Sequence, residues 1–247
     1  MTNWGRWKLN PENWVEKEKK RAAKEAVKHV KDGFIVGLGS GTTTAYAIEE
    51  LGKKAKQEEL QILGIPTSYQ AFMLAVEHAI SITTLEEHPT IDLTIDGADQ
   101  IDKELNLIKG MGGALAREKI VAFASKNLII IADENKKVEA LGQNNHPVPT
   151  EVLPFAASLV MRKLKEMGGR PQIREGKGKV GPVITDNNNI IIDADFGPIR
   201  KPAELEHSLK CISGVVETGL FIRMADIVYI GTRSGTEKLV GNPNRIC

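Results

Sequence analysis

An uninterrupted aliphatic run near the middle of the chain, Leu-Ile-Ile-Ile-Ala at 128–132, most constrains the fold. A strand covered on both faces is apolar throughout, whereas a half-exposed strand alternates apolar and polar residues. With further strands predicted at 34–38 and 91–95 and helical patterns between them, the chain predicts a doubly wound α/β fold, Rossmann-like, with a mostly parallel sheet. The loops after these strands should meet at one edge, where such sheets bind ligands. The other elements predicted here are a helix at 16–30, a helix ending near 51, a charged connection at 52–59, a strand at 61–65, a helix at 69–78 and a strand at 80–83.

The pattern changes at 142–149, where Gly-Gln-Asn-Asn-His-Pro-Val-Pro has the composition of a linker. After it, short strands alternate with two helices, which indicates a smaller α+β insert of ferredoxin-like type. A last buried-strand pattern at 225–231 returns to the first sheet. We therefore predict a catalytic Rossmann-like domain from 1–145 plus 221–247 and an inserted α+β domain at 146–220. The insert's predicted elements are a strand at 148–153, a helix at 155–167, a strand at 171–174, a hairpin and strand at 183–194 turning at 186–189, a helix at 202–210 and a strand at 214–220.

Composition narrows the class of protein. The formal net charge of +1 provides no global field for nucleic acid or an anionic membrane. No apolar run approaches the ~18 residues of a spanning helix, and the N-terminal segment with Trp4, Trp7 and Trp14 lacks a signal peptide's apolar core. Cys211 and Cys247 form neither a metal-type spacing nor a disulfide framework, and five scattered histidines predict no metal site. We expect a cytoplasmic protein.

Two carboxylates follow the strand at 91–95 in the sequence Asp96-Gly97-Ala98-Asp99. Farther on, Lys109 precedes a glycine-rich turn, 110–113, which leads into a helix. An ammonium and free backbone N–H groups at a helix N-terminus favour negative charge. The pattern indicates a site that combines carboxylates with an anion-stabilising turn.

Glu118 lies on the helix after that turn, on the same face as Leu115, Val121 and Ala122. A carboxylate on an apolar stripe is partly desolvated, which raises its pKa toward the range of a general base near neutral pH. Taken alone, Glu118 is better explained as a surface charge, since basic residues stand on both sides of it and glutamate is common in helices. Its position after two aspartates and a lysine favours the catalytic interpretation.

The loop Gly39-Ser40-Gly41-Thr42-Thr43-Thr44 joins the first strand to a helix, which is a phosphate-cradle pattern. Thr42 stands where the dinucleotide fingerprint needs glycine, and the Gly-Lys-Ser/Thr of a nucleoside-triphosphate loop is absent. A tight strand-to-helix turn with an N-cap explains the loop equally well. From the residues alone, both interpretations stay open.

These motifs together resemble one family, type A ribose-5-phosphate isomerase, over nearly the whole chain beyond the N-terminal segment. The matching segments are Gly-Ser-Gly-Thr-Thr at 39–43, Asp-Gly-Ala-Asp at 96–99, Lys-Gly at 109–110 with its glycine turn, Ala-Arg-Glu-Lys-Ile-Val-Ala at 116–122, Gly-Gly-Arg-Pro at 168–171 and Gly-Val-Val-Glu-Thr-Gly-Leu-Phe at 214–221.

The resemblance implies an aldose-ketose isomerase that interconverts ribose 5-phosphate and ribulose 5-phosphate through a cis-enediolate, without a metal or organic cofactor. Glu118 would move the proton between C2 and C1, Asp96 and Asp99 would handle hydroxyl protons and ring opening, and Lys109 would stabilise the oxyanion. The family forms homodimers or homotetramers. The residues expected along the sugar phosphate are Ser40, Gly41, Thr42, Thr43, Gly97, Ala98, Gly110, Met111 and Gly112, with Lys136 and Lys19 as further phosphate contacts.

Two positions depart from the family's pattern. Met111 stands where glycine is usual, and it would be strained if its φ were positive. Gln100 replaces a glutamate, which keeps a hydrogen-bond acceptor and loses a charge.

Two other functions fit parts of this pattern. A CoA transferase uses a glutamate nucleophile on a related sheet, but thioester exchange gives the paired aspartates no evident task. A non-catalytic sugar-phosphate sensor would usually carry a DNA-binding helix-turn-helix, whereas the lysine-rich first helix stands alone.

Overall fold

The computed structural model describes residues 14–178 and 180–243, so Trp4, Trp7 and Cys247 lie outside the described residues. In that part of the chain, no helix is long and apolar enough to cross a membrane. The helices and strands are, in chain order, α1 (Trp14–Val27), β1 (Ile35–Leu38), α2 (Thr42–Gln57), β2 (Leu63–Pro66), α3 (Tyr69–Glu77), β3 (Ser81–Ile82), β4 (Ile91–Gly97), β5 (Gln100–Ile101), β6 (Leu107–Ile108), α4 (Leu115–Phe123), β7 (Ser125–Asp133), β8 (Val148–Val152), α5 (Ala157–Glu166), β9 (Arg170–Ile173), β10 (Ile190–Asp195), α6 (Pro202–Lys210), β11 (Val215–Thr218), β12 (Leu220–Phe221), β13 (Ile227–Gly231) and β14 (Thr236–Val240).

A seven-stranded sheet in the order β14-β13-β7-β4-β1-β2-β3 forms the centre of the protein. Its neighbouring strands are parallel except for β14, which pairs antiparallel with β13. The predicted doubly wound α/β fold is therefore confirmed. Because β1, β4 and β7 are adjacent and parallel, their carboxyl ends lie at one edge, as expected.

The aliphatic run in β7 contributes to both faces of this sheet. Ile129 and Ile131 pack with residues of α1, α2 and α3 on one face. Leu128 and Ile130 pack on the other, with residues of α4, β6 and β12. Successive strand residues point to opposite faces, so only a continuous apolar run suits a strand covered on both sides.

The insert forms a four-stranded antiparallel sheet in the order β11-β8-β10-β9, with α5 and α6 in the connections. This strand order, with one helix after the first strand and one after the third, is the predicted ferredoxin-like arrangement. The domain boundaries given above stay a prediction.

The predicted charged connection at 52–59 is wrong, because α2 continues to Gln57. Leu51 and Gly52 are buried, whereas Lys53 forms ion pairs with two glutamates of the preceding turn. The charges thus mark the exposed face of a helix and not a loop.

The segment between Asp99 and Lys109, where no strand is predicted above, contains β5 and β6, which β12 joins in a three-stranded sheet. The strand predicted at 214–220 accordingly divides at Gly219 into β11 of the insert's sheet and β12 of this one. Two-residue strands are too short for periodicity to show.

Three smaller expectations also differ. The strand β14 was not predicted, and β10 begins at Ile190 rather than near 183, with only an isolated bridge at Ile184. The predicted linker is shorter than 142–149, because Val148 and Pro149 already belong to β8.

Gly37 in β1 lets the sheet approach α4 closely. A Cβ atom there would lie 1.9 Å from Thr94 Oγ1 and 2.6 Å from Val121 Cγ1. We expect Gly37→Ala to lower the free energy of unfolding by about 1–3 kcal/mol through overpacking, measured by urea denaturation. Gly235→Ala, where an added Cβ meets nothing within 4 Å, is the control and should change stability little. Equal stability of both variants would contradict this account.

Candidate active site

The loops after β1, β4 and β7 surround a cavity of about 520 Å³. The cavity brings together most of the predicted site. Asp96 does not line it, because its side chain is fully buried behind the wall, and Met111 is half exposed outside it. The predicted residues that do line it are Lys19, Ser40, Gly41, Thr42, Thr43, Gly97, Ala98, Asp99, Lys109, Gly110, Gly112, Glu118 and Lys136.

A buried lysine between two buried carboxylates forms the centre of the site. Lys109 Nζ donates a hydrogen bond to the Gly97 carbonyl at 2.7 Å, and it lies 3.1 Å from Asp96 Oδ2 and 3.3 Å from Glu118 Oε2. All three charged side chains are at most 5% exposed. Asp96 is delivered by β4, Lys109 follows β6, and Glu118 lies in the first turn of α4.

This group has two carboxyls and one ammonium, and burial disfavours the charged carboxylates. Burial, followed by the charge on Asp96, raises the pKa of Glu118 to about 8, although Lys109 opposes the shift. Burial also raises the pKa of Asp96, again opposed by Lys109. Burial alone would lower the pKa of Lys109, but the two carboxylates outweigh it and raise that pKa. Lys109 therefore stays charged while Glu118 can exchange a proton near neutral pH.

Asp99 lies at the cavity wall beside the glycine turn. The Met111 N–H donates to Asp99 Oδ2 at 3.0 Å. Positive φ angles in the turn occur at Gly110 (104°) and Gly113 (81°), and not at Met111. The strain considered for a non-glycine residue at position 111 therefore does not occur.

The loop after β1 has the features of an anion site at a helix N-terminus. Gly41, at φ 108°, is the N-cap of α2, and no side chain caps the helix. Lys19 Nζ, from α1, donates to Thr42 Oγ1 at 3.1 Å and to Glu16 Oε1 at 2.9 Å. The absence of a side-chain cap disfavours the open alternative of an ordinary N-capped turn, and the nearby ammonium favours an anion.

Several cavity residues were not predicted. Asp133 is the last residue of β7 and Asn135 lies just beyond it, so the polar residues directly after the aliphatic run could have indicated them. Asn144 and His146 lie in the segment described above as a linker, and its composition concealed them. Val15 and Val138 complete this set, and Gln100, noted only as a departure, also lines the cavity.

Gln100 holds the segment that carries Asn144 and His146. Its Nε2 donates to the Gln143 carbonyl at 2.9 Å, and its Oε1 accepts from the Gly142 N–H at 2.8 Å. An amide can make both bonds, whereas a carboxylate only accepts. The departure at position 100 thus suits this loop.

Arg174 of the insert also reaches the site, through the backbone of the glycine turn. Among residues 14–178 and 180–243, no group of three or more His, Cys, Asp or Glu is arranged to hold a metal ion.

The fold and the buried acid–base group define an α/β enzyme with a cavity at the carboxyl edge of its sheet. A family model, ribose 5-phosphate isomerase A (phosphoriboisomerase A), matches residues 63–235. The chain belongs to this family.

Individual relatives agree with the family model over almost their full lengths. The ribose-5-phosphate isomerase A of Methanosarcina acetivorans is 48% identical over 90% of this chain and 94% of that protein, and the one of Pyrococcus horikoshii is 49% identical over 91% and 98%. The structure of the Methanocaldococcus jannaschii isomerase superposes with a TM-score of 0.88, at 47% identity, over 91% of this chain and 99% of that one. A D-ribose-5-phosphate isomerase in complex with phospho-erythronic acid gives a TM-score of 0.89, at 48% identity, over 92% and 99%.

Glu118→Gln should raise the free energy of unfolding at pH 8. A carboxyl whose pKa is raised on folding stabilises the protein while it is protonated, and this contribution is lost as the pH rises from 4.5, its ordinary value, through about 8. Glutamine cannot ionise, so the gap over the wild type should grow from small near pH 4.5 to on the order of a few kcal/mol at pH 8.

Urea denaturation at several pH values measures this gap. Glu134→Gln, an exposed position after β7, is the matched control and should show no such trend. A gap for Glu118→Gln that does not change with pH would mean that Glu118 is not the group whose ionisation opposes folding.

Proposed function

We propose that this protein interconverts D-ribose 5-phosphate and D-ribulose 5-phosphate by proton transfer through a cis-enediolate, in the non-oxidative branch of the pentose phosphate pathway. The observation that carries the proposal is the buried Asp96–Lys109–Glu118 group at the wall of a cavity whose other side is a phosphate-type loop. Membership of the ribose 5-phosphate isomerase A family supports the same reaction and substrate.

Glu118 is the base in this proposal. In its ionised form it takes the proton from C2 of the open-chain aldose, and it returns that proton to C1 of the enediolate to give the ketose. Its pKa of about 8 suits both steps near neutral pH, because the residue must accept the proton and then release it.

Lys109 and Asp99 act on the substrate oxygens O1 and O2 in this proposal. The Lys109 ammonium remains charged and stabilises the negative charge that develops on the enediolate. Asp99, which lines the cavity, would carry the hydroxyl proton from O2 to O1 and assist ring opening. Asp96 is fully buried, so its contribution is to hold Lys109 through the 3.1 Å ion pair.

The phosphate binds at the N-terminus of α2 in this proposal. Backbone N–H groups of residues 42–43 and hydroxyls of residues 40–43 would surround it, with Lys19 and Lys136 supplying positive charge. The N–H groups of Ser40 and Gly41 donate to Asp96 and Gln70 instead. A fixed phosphate holds C1 and C2 against Glu118, which removes much of the entropic barrier to reaction.

Glu118→Gln should nearly abolish isomerisation and leave sugar-phosphate binding largely intact, because shape and phosphate contacts remain. The measurement is deuterium wash-in from D2O at C2 of ribose 5-phosphate, followed by NMR with EDTA present. We expect exchange and ketose formation in the wild type and in the exposed control Glu134→Gln, and neither in Glu118→Gln.

Normal turnover in Glu118→Gln would remove Glu118 from its role as base. An absence of exchange in the wild type would overturn the isomerase proposal itself, and acyl-CoA exchange and simple ligand binding would then be measured. Loss of activity with EDTA would show that a metal takes part.

We further propose that the protein is a homodimer or homotetramer. Two helices expose apolar side chains, Tyr69 and Val76 on α3 and Ile120 and Phe123 on α4, each at least 54% exposed. Exposed apolar patches of this kind mark interaction surfaces in soluble proteins.

Light scattering after size exclusion tests the assembly. The wild type should give the mass of two or four chains, and Val76→Lys or Phe123→Lys should shift the distribution toward one chain by placing a charge in an apolar interface. Lys31→Glu, a charge reversal at an exposed position, is the control. A monomeric wild type would refute self-association.

A cytoplasmic location is also proposed. The family's metabolic role and the exposed free thiol of Cys211 both fit a reducing compartment.

A further inference from the structure

Arg174, directly after β9 of the insert, binds the backbone of the catalytic glycine turn. Its Nη1 donates to the carbonyl of Gly110 at 2.8 Å and to that of Met111 at 3.0 Å. The Asp193 carboxylate on β10 holds the other side of the guanidinium, accepting from Nε at 2.7 Å and from Nη2. The Arg174 side chain is only 12% exposed. A planar guanidinium that is largely buried and hydrogen-bonded on two sides has little freedom to move.

The planarity of the peptide bond transmits this contact to the cavity side of the turn. In a trans peptide, the C=O and the N–H point in opposite directions. The Gly110 carbonyl faces Arg174, and the N–H of the same peptide unit, from Met111, donates to Asp99. The Met111 carbonyl also faces Arg174, so the Gly112 N–H points the other way. Gly112 lines the cavity, and its N–H has no hydrogen-bond partner among the described residues.

We propose that Arg174 is a positioning residue for the isomerisation, which rests on the function proposed above. By fixing two consecutive carbonyls, it directs the Met111 N–H onto Asp99 and leaves the Gly112 N–H aimed into the cavity. There the Gly112 N–H donates to the oxyanion of the enediolate, beside the Lys109 ammonium. Preorganised donors of this kind act where charge develops and need no rearrangement during the reaction.

The glycine-rich composition of the turn explains why a residue outside it is needed to restrict its backbone. Three of the four residues at 110–113 are glycines, which lack the backbone restriction of other residues. The bond from the Gly113 N–H to the Gly110 carbonyl closes the turn at 3.0 Å, but it leaves the Met111–Gly112 peptide unit without a partner of its own. Arg174 is the described side chain that bonds the carbonyl of that unit.

The same two strands provide a matched control. Arg170 on β9 also forms an ion pair across to β10, with Asp195, but its side chain is 70% exposed, and its other bond goes to the Asn145 side chain at 3.3 Å and not to the glycine turn. A purely structural function of arginine–aspartate pairs between β9 and β10 predicts similar effects of Arg170→Met and Arg174→Met. Positioning of the turn predicts an effect on catalysis for Arg174→Met alone.

The experiment compares steady-state kinetics and ligand binding of the wild type, Arg174→Met and Arg170→Met. We expect Arg174→Met to lower kcat by about 10- to 100-fold, less than or comparable with the loss of one direct oxyanion donor, with KM for ribose 5-phosphate changed by no more than about threefold. Binding of phospho-erythronic acid, whose carboxylate has two oxygens in one plane as the cis-enediolate does, should weaken by about tenfold or more. Binding of inorganic phosphate should not change, and Arg170→Met should resemble the wild type throughout.

Two results would overturn the inference. One is a kcat of Arg174→Met equal to that of Arg170→Met, and the other is an equal loss of phospho-erythronic acid and phosphate binding, which would indicate general damage to the cavity. If Arg174→Met does not fold by circular dichroism, Arg174→Lys and Asp193→Asn replace it. The lysine ammonium cannot bond both the turn carbonyls and Asp193 as the guanidinium does, so Arg174→Lys should keep only part of the wild-type kcat and of the wild-type affinity for phospho-erythronic acid.

Failure of the function and failure of the inference are distinguishable. A wild type that binds phospho-erythronic acid but does not isomerise ribose 5-phosphate would refute the proposed reaction. An active wild type with an equally active Arg174→Met would leave the reaction standing and refute the role of Arg174.

Discussion

The structure depends on one ammonium group, that of Lys109, buried between the carboxyls of Asp96 and Glu118. A buried charge is stable only when it is paired, and here one positive charge faces two acidic groups. Burial raises the pKa of both carboxyls, and for Glu118 the neighbouring charge on Asp96 adds to the rise. Burying these charged groups lowers the stability of the fold, and the same burial gives Glu118 a pKa suited to proton transfer near neutral pH.

The surrounding fold holds this arrangement from both sides of Glu118. The preceding residue, Arg117, donates to the Asn187 side chain and to the Asp186 carbonyl of the insert, each at 2.7 Å. The following residue, Lys119, is buried and pairs with Glu217 of β11 at 2.9 Å. Basic neighbours that could have indicated a surface helix instead attach α4 to the insert. The charged side chains of Arg117 and Lys119 thus help to fix the position of Glu118.

The parts of the site that sequence could predict lie in long, regular elements. The aliphatic run of β7 defined a strand covered on both faces, and the apolar neighbours of Glu118 indicated its burial, which the structure confirms. The short strands could not be predicted, because β5, β6 and β12 have two residues each, too few to show a hydrophobic period. The contact of Arg174 could not be predicted for another reason: the Gly110 carbonyl is 64 residues away in the sequence, and only the tertiary structure brings the two together.

Backbone hydrogen bonds join the insert's sheet to the acid–base group. Lys109 donates its backbone N–H to the Gly219 carbonyl at 2.8 Å, and Gly219 donates its own to the Pro149 carbonyl of β8 at 2.7 Å. A Cβ at Gly219 would lie 2.2 Å from the Lys109 carbonyl, so only glycine permits this approach. A displacement of β8 would be transmitted through two hydrogen bonds to Lys109, and from its ammonium to both carboxyls. The small sheet therefore contributes to the geometry of the acid–base group although it supplies none of its charged side chains.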